Sequence, residues 1–204
     1  MEADRPAPGE EFNPGRPTQP RQAATVILLR GGRATLEVLL VRRNPAARFM
    51  GGAWVFPGGA VDASEDHETA GVREVAEESG VSLPDPRALV RFSRWITPAQ
   101  VRIRFDTHFF LVAAPHDAAP RVDGSECVDL GWFTPHGAIE AHERGEIMLV
   151  FPTIKTLEQL GAFGSADEIL EWARGRTVEA VQPQIIHQGE TARIVLPGEA
   201  GYQT

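Results

Sequence analysis

Cysteine is almost absent from this chain of 204 residues, with Cys127 as its single example, so no disulfide can form within it. No run of residues reaches the roughly 18 apolar positions that a membrane-spanning helix needs. The first 21 residues also lack the apolar stretch of a secretory signal peptide. We therefore expect a protein of the reducing cytoplasm that has no membrane partner.

Positively charged residues are fewer than negatively charged ones, with 20 lysines and arginines and 28 aspartates and glutamates, and the formal net charge is -8. Long-range repulsion opposes binding to nucleic acid or to an anionic membrane, so we expect neither as a partner. A small anionic substrate would need local neutralisation by a metal ion or by arginine. The apolar fraction of 42% is ordinary for a globular chain and sufficient for one domain.

The chain divides into an arm and one domain. Residues 1–21 are rich in proline, glycine and charge and show no periodicity, which predicts a flexible arm before a single domain over residues 22–204. The predicted strands are 24–30, 36–42, 53–56, 89–96, 105–112 and 129–133, and the predicted helices are 66–79, 153–162 and 166–174. A weaker hairpin signal covers residues 184–196 around Gly189. This order predicts a mixed sheet flanked by helices.

The predicted helix 66–79 carries Glu74, Glu77 and Glu78 at spacings i, i+3 and i+4, which places three carboxylates on one helix face. The opposite face, expected to be buried, holds small and apolar side chains, namely Val72, Val75, Ala76 and Ser79. Clustered carboxylates repel one another unless a cation lies among them. The three glutamates therefore favour a site for Mg²⁺ or Mn²⁺, which bind hard oxygen ligands. The alternative interpretation of the same glutamates is a solvated acidic face.

The surroundings of the three glutamates match a known pattern. Residues 59–81 agree at every specified position with G-x5-E-x7-R-E-U-x-E-E-x-G-U, where U is aliphatic, and this pattern is the Nudix box. The chain therefore resembles the Nudix hydrolases. The resemblance implies an α/β (α+β) fold class, an α/β/α sandwich with a mixed sheet in which the box forms a loop, the catalytic helix and a second loop. It also implies hydrolysis of a diphosphate bond with Mg²⁺ or Mn²⁺ as cofactor.

The resemblance also implies roles for single residues of the box. Glu74 and Glu78 are expected to bind the metal, Glu77 to assist directly or through water, and the carbonyl of Gly58 to complete the shell. Arg73 is expected to orient a glutamate.

Two further acidic residues receive roles in the same way. Glu65 is expected to support the loop of the box, with a plain surface ion pair to Arg73 as the alternative. A glutamate has to take the proton of the attacking water. For this base we consider Glu77 first and Glu126 second, although Glu126 could equally be a simple loop residue.

The segment before the box bears on the substrate. Residues 39–59 resemble the CoA-diphosphatase signature L-L-T-x-R-[SA]-x3-R-x3-G-x3-F-P-G-G, and they depart from it at Val41 and Asn44. The resemblance favours hydrolysis of CoA or acyl-CoA to adenosine 3′,5′-bisphosphate and (acyl-)4′-phosphopantetheine.

The signature contains groups suited to phosphate. Arginine forks bind phosphate through paired hydrogen bonds, so Arg43 and Arg48 are candidates for holding substrate phosphates. Gly52 and Gly59 would let the backbone approach the substrate closely.

Other functions stay open at this point. Hydrolysis of ADP-ribose, NADH or a nucleotide sugar would use the same metal and mechanism, and a nucleotide sensor without turnover is a further alternative. In each case the expected partner is a small nucleotide. Many relatives form dimers, so a homodimer is open as well.

Overall fold

The structure is a computed structural model that describes residues 11–13, 15–188 and 191–203. Within these ranges, eight strands form one mixed sheet and two form a separate hairpin. The strands of the sheet are β1 (Arg21–Arg30), β2 (Glu37–Arg43), β3 (Trp54–Val55), β4 (Gly58–Ala60), β5 (Val90–Ile96), β6 (Phe105–Ala113), β7 (Cys127–Phe133) and β8 (Ala180–Val181). The hairpin consists of β9 (Gln184–Gln188) and β10 (Thr191–Val195). The helices are α1 (His67–Ser79), α2 (Pro135–Glu143), α3 (Phe151–Leu160) and α4 (Ala166–Ala173).

The sheet changes its pairing along the central strand β1. The main order is β3-β2-β1-β6-β5-β8, with β1 parallel to β6 and antiparallel to β2. The register of β1 with β2 covers Leu29 and Arg30, whereas β4 pairs with β1 at Ala23 to Thr25 and β7 pairs with β2. Because β1 and β2 take different neighbours, they separate at one end of the sheet.

Side chains alternate along β1 between two cores, as they must in a strand that is covered on both faces. Ala24, Val26 and Leu28 belong to the core that contains residues of α1. Ile27 and Leu29 belong to the larger core that contains residues of α3 and α4. Helices therefore cover both faces of the sheet, and the predicted α/β/α sandwich is confirmed.

Helix α1 begins and ends where its sequence signals place it. The Asp66 side chain accepts a hydrogen bond from Thr69 N at 2.8 Å, which satisfies an amide that the first turn leaves unpaired. Gly80 has a φ of 66°, the left-handed conformation that ends many helices, and its N–H donates to Ala76 O. The predicted helix 66–79 is thus confirmed, with Asp66 as its cap.

The buried face of α1 differs from the expected one. Val75 and Ser79 are buried as predicted, but Val72 is half-buried and Ala76 is exposed. Gly71 is buried instead and packs closely on β1, since a Cβ at this position would lie only 2.8 Å from a β1 side chain. The helix is rotated so that part of its acidic face turns inward, which places Glu74 and Glu78 among the buried residues.

Two further segments differ from the structure predicted from the sequence. Helix α2 was not predicted, although Thr134 Oγ1 accepts from Gly137 N and Pro135 stands in the first turn, both of which favour a helix start. Part of the predicted arm lies against the domain, where Asn13 N donates to Gln100 O at 2.7 Å. Residues 1–10 of that arm, and the predicted turn residue Gly189, lie outside the described residues.

No helix in the described part of the chain combines the length and the apolar character needed to cross a bilayer.

One histidine of the sheet is held in its neutral form. The half-buried ring of His108 on β6 lies 4.0 Å from the ring of His67 on α1, measured between centroids. Burial lowers the pKa of His108 to about 4, and the charges of His67 and Arg94 act in the same direction. Since the pKa of an unfolded histidine is about 6.5, this ring contributes stability above that pH. The contribution is lost as the pH falls towards the folded-state value.

We predict that His108→Gln makes unfolding less dependent on pH. Between about pH 7 and pH 4.5, the variant should lose about 1–2 kcal/mol less unfolding free energy than the parent chain, because a half-buried ring no longer resists protonation. Urea titrations at several pH values measure this difference. His116→Gln, on an exposed loop, is the control, and an equal pH slope in all three proteins would contradict the prediction.

Candidate active site

A cavity of about 430 Å³ lies on the sheet face that includes Arg21, Ala23 and Thr25 of β1. Residues of β4, α1, β5, β6, α3 and the β9–β10 hairpin complete its wall. Two carboxylates of the Nudix box, Glu74 and Glu78, line it at the place where β1 and β2 separate. The cavity is therefore the candidate active site.

Glu78 is the more deeply buried of these carboxylates, with only 2% of the residue exposed. Its Oε2 accepts a hydrogen bond from Gly58 N at 3.0 Å, and Arg43 Nη1 lies 3.6 Å from its Oε1. Burial raises the pKa of Glu78 to about 7, against the opposing effects of the Gly58 amide and the Arg43 charge. A carboxylate in this setting gains from any further positive charge.

Glu74 is buried one helical turn earlier and depends on a glycine for its space. A Cβ at Gly59 would overlap the Glu74 carboxylate, so only glycine fits there without displacing it. Burial also raises the pKa of Glu74; Arg73 opposes this shift, and the charges of Glu77 and Glu126 add to it. The site thus gathers negative charge around Glu74.

Arg73 joins the loop of the box to the helix. Its guanidinium donates to Glu65 Oε1 at 2.7 Å, to Glu74 Oε1 at 2.7 Å and to Glu77 Oε2 at 3.0 Å. It also donates to Ala60 O, and the bond to Glu65 is the main cause of its raised pKa. These contacts are the ones that the roles expected for Arg73 and Glu65 would require, and the roles themselves stay predictions.

The two candidate bases differ in position. The Glu77 side chain is 59% exposed, is bound by Arg73, and is not among the residues that line the cavity. Glu126 lines the cavity, and its backbone is fixed by Asn44 N donating to Glu126 O at 2.8 Å and by Glu126 N donating to Asp123 Oδ2. The structure therefore brings Glu126, rather than Glu77, to the site.

Cys127 follows Glu126 and is completely buried beside Glu78. Burial raises the pKa of its thiol to about 12, with the charge of Glu78 adding to the effect. The group stays protonated at neutral pH and has no role as a nucleophile.

The structure separates two predicted substrate-binding residues from the cavity. Arg48 is exposed and does not line it, although its neighbours Phe49 and Met50 do. Gly52 has a φ of 81° and lines a different concavity with Trp54 and others. The conformation of Gly52 serves the turn between β2 and β3. Neither Arg48 nor Gly52 therefore lies where it could contact a substrate in this cavity.

Arg21 lines the cavity but was assigned to the arm in the sequence-based interpretation. It is the first residue of β1 and follows the alternation of Ala23 and Thr25, whose side chains face the same side of the strand. This alternation, extended two residues towards the N-terminus, was the signal that could have revealed it.

Whether a metal ion fits this cavity depends on the donor atoms that its side chains offer. Among the described residues, no three acidic, histidine or cysteine side chains stand close enough to enclose an ion. The three carboxylates expected to converge do not form such a group: Glu74 and Glu78 line the cavity, whereas Glu77 does not line it and shares Arg73 Nη1 with Glu74. Glu74 and Glu78 nevertheless offer buried carboxylate oxygens at one cavity, and such oxygens suit Mg²⁺ or Mn²⁺.

Comparison with known proteins agrees with the fold and the box. The sequence matches the NUDIX domain family over residues 19–153, and the chain belongs to this family. Among solved structures, a NUDIX hydrolase from Alicyclobacillus acidocaldarius has a TM-score of 0.67 and 28% identity, with 76% of this chain and 96% of that chain covered. A MutT NUDIX hydrolase from Burkholderia pseudomallei has a TM-score of 0.56 and 28% identity, covering 70% and 98%.

The curated relatives differ in their named activities. A putative nudix hydrolase 7 of Caenorhabditis elegans is 28% identical over 179 residues, which are 69% of this chain and 60% of that protein. The human acyl-coenzyme A diphosphatase NUDT19 is 31% identical over 124 residues, 58% of this chain and 33% of its own length. A putative 8-oxo-dGTP diphosphatase 3 of Mycobacterium tuberculosis is 36% identical over 117 residues, covering 55% and 52%. The chain thus spans less than two thirds of each of these relatives.

We predict that Arg73→Gln destabilises the protein by about 3 kcal/mol, because it leaves two largely buried carboxylates without a cation. The side chains of Glu65 and Glu74 are each 11% exposed, so water screens them poorly. Chemical denaturation measures the loss. Arg144→Gln is the control, since its partners Glu140 and Glu146 are exposed and its removal should change little. Equal stability of the two variants would refute the structural role of Arg73.

Proposed function

We propose that this chain hydrolyses the diphosphate bond of a nucleotide substrate with the help of Mg²⁺ or Mn²⁺. The observation that carries the proposal is the pair of buried carboxylates, Glu74 and Glu78, presented by the helix of the Nudix box to one cavity beside the glycines of β4. Two desolvated carboxylates cost stability, and apolar residues would fill the same space better. Their retention in a cavity is reasonable if they bind a ligand.

The residues of the site would divide the work. Glu74 and Glu78 would hold the cation, which supplies neutralisation of the phosphate charge and a lower pKa for bound water. Arg43, on the cavity wall next to Glu78, would bind a substrate phosphate. Gly59 leaves the space in which Glu74 is held.

Glu126 is our candidate for the base that takes the proton of the attacking water. It lines the cavity, it is exposed enough to exchange protons with solvent, and its loop is anchored through Asn44. Glu77 receives second place, because it does not line the cavity and its carboxylate is bound by Arg73.

We therefore predict that Glu126→Gln lowers kcat by about 100-fold or more, the usual effect of losing a general base, while KM changes little. Glu77→Gln should lower kcat by about tenfold at most. Steady-state kinetics over pH measures both variants, and the reverse order of effects would assign the base to Glu77.

For the substrate we propose CoA or an acyl-CoA, split into adenosine 3′,5′-bisphosphate and (acyl-)4′-phosphopantetheine. The signature over residues 39–59 supports this choice, as does the similarity to a protein named as an acyl-coenzyme A diphosphatase. Arg43 is the arginine of that signature that lines the cavity. The similarity to a protein named as an 8-oxo-dGTP diphosphatase makes 8-oxo-dGTP a necessary comparison, and ADP-ribose and NADH are the alternatives left open by the sequence.

The experiment is a comparison of these compounds at equal concentration with Mg²⁺ or Mn²⁺, with products identified by mass spectrometry. We expect CoA compounds to give the highest kcat/KM and the two products named above. A wide preference for ADP-ribose, NADH or 8-oxo-dGTP would reject the CoA proposal and leave the diphosphatase proposal intact.

Two variants on α1 serve as controls for that comparison. Glu78→Gln should abolish metal-dependent hydrolysis of every compound without lowering stability, because it removes a buried charge and keeps an oxygen for the Gly58 amide. Glu68→Gln lies on the same helix, where its partner is Arg91, and should keep its activity. Full activity of Glu78→Gln would reject the metal site.

A further inference from the structure

The floor of the cavity extends well beyond the two carboxylates. Ala60, Ala23, Thr107 and Trp95 are paired across β4, β1, β6 and β5, and all four line the cavity. Neighbouring strands lie about 4.8 Å apart, so the three steps from Ala60 to Trp95 cover about 14 Å. Since Ala60 follows the glycine that contacts Glu74, one end of this row lies at the carboxylates and the other at Trp95.

The charged lining residues come from only some of the elements around the cavity. The charged residues that line the cavity in the described part of the chain come from β1, β2, α1 and the loop before β7, and they are Arg21, Arg43, Glu74, Glu78 and Glu126. The lining residues of β5, α3 and the hairpin carry no charge. We call this second part of the cavity the apolar end, and we define it by Trp95, Phe151, Ile185 and Ile194.

The side chains of the apolar end are arranged as a wall. The rings of Trp95 and Phe151 meet edge to face, with centroids 6.2 Å apart and an interplanar angle of 83°. Ile185 and Ile194 are directly paired across β9 and β10, so they present adjacent apolar surfaces on one face of the hairpin. Each of these four residues is only partly buried, so each has apolar surface available to a ligand.

The hairpin lies outside the region that matches the NUDIX domain, which ends at residue 153. It contacts the domain nonetheless, because Gln100 Nε2 donates to Ile185 O at 3.3 Å. β8, just before the hairpin, pairs with β5 at Arg94 and Trp95. This segment therefore adds a wall to the cavity that the matched region does not provide.

We infer that the apolar end binds the acyl chain of an acyl-CoA, so that the enzyme acts on acyl-CoA in preference to free CoA. The inference rests on the proposed function. An extended pantetheine arm has about twelve chain bonds between the diphosphate and the sulfur, comparable to about four extended residues or about 14 Å. This length agrees with the separation of the two ends of the cavity. A diphosphate held at Glu74 and Glu78 would therefore place the thioester near Trp95.

The test is the dependence of kcat/KM on acyl-chain length, measured with CoA, acetyl-CoA, hexanoyl-CoA and decanoyl-CoA. Burying a methylene strengthens binding by up to about fourfold, so decanoyl-CoA should exceed acetyl-CoA by at least about tenfold. In the double variant Ile185→Thr, Ile194→Thr, the fall in kcat/KM for decanoyl-CoA should exceed the fall for free CoA by at least about tenfold. No rise with chain length in the parent enzyme would overturn the inference.

Ile186→Thr is the matched control, because Ile186 stands next to Ile185 on the same strand, pairs with Arg193 and does not line the cavity. It should leave the chain-length dependence unchanged. Ile194→Phe is a second variant that keeps the hairpin apolar, and it should shift the preferred chain to a shorter length by filling the apolar end. If the double variant weakened free CoA and decanoyl-CoA equally, the apolar end would bind the nucleobase instead, and the inference would be wrong.

A failure of the proposed function gives a different result. If no CoA compound is hydrolysed, calorimetry with CoA and decanoyl-CoA still tests the apolar end by binding alone. Tighter binding of decanoyl-CoA that is lost in the double variant would support the site without the reaction. Equal binding of the two compounds to the parent chain would overturn it.

Discussion

Helix α1 keeps two carboxylates largely away from water and yet at the wall of a cavity, and the surrounding structure depends on this constraint. Removing a carboxylate from water costs several kcal/mol unless hydrogen bonds and opposite charges offset it. Arg73 supplies that compensation to Glu74, and the Gly58 amide with Arg43 supplies part of it to Glu78. The site therefore combines deep burial with incomplete neutralisation, and in the proposed function a cation would supply the remaining compensation.

The sheet provides the room for this arrangement by exchanging partners. Where β1 pairs with β4, and β2 with β7, the gap between them admits the glutamates of α1. Gly58 and Gly59 are required there because a side chain at either would overlap its surroundings: the backbone of β1 for Gly58 and the Glu74 carboxylate for Gly59. The glycines of the box and of the segment before it therefore have a packing reason as well as a chemical one.

Much of this could be predicted from the sequence, because the relevant signals are local. The ends of α1 follow from Asp66 and Gly80, and the strands follow from their alternation. The rotation of α1 could not be predicted, since helical spacing alone does not say whether Ala76 or Glu78 faces the sheet.

The residues around the site were harder to predict, because their positions depend on contacts distant in sequence. Glu126 is brought to the cavity by the anchoring of its loop, and Arg21, although it continues the alternation of β1, is fixed there by the pairing of β1 with β6. The order of the two candidate bases changed for the same reason, since Glu126 lines the cavity and Glu77 does not. The apolar end of the cavity depends on a hairpin whose sequence signal is weak and whose hydrogen-bond partner Gln100 lies far earlier in the chain.

The parallel pairing of β1 with β6 also governs how the chain can fold. Gln22 and Asp106 are partners although 84 residues separate them, so β1 cannot pair with β6 until the middle of the chain has been synthesised. Pairings of such long range close slowly, since the loop entropy is lost before the contacts form. During synthesis on the ribosome, the apolar segment of β1 therefore stays exposed until β6 has emerged. This interval is the stage at which we expect the nascent chain to be most prone to aggregation and most dependent on chaperones.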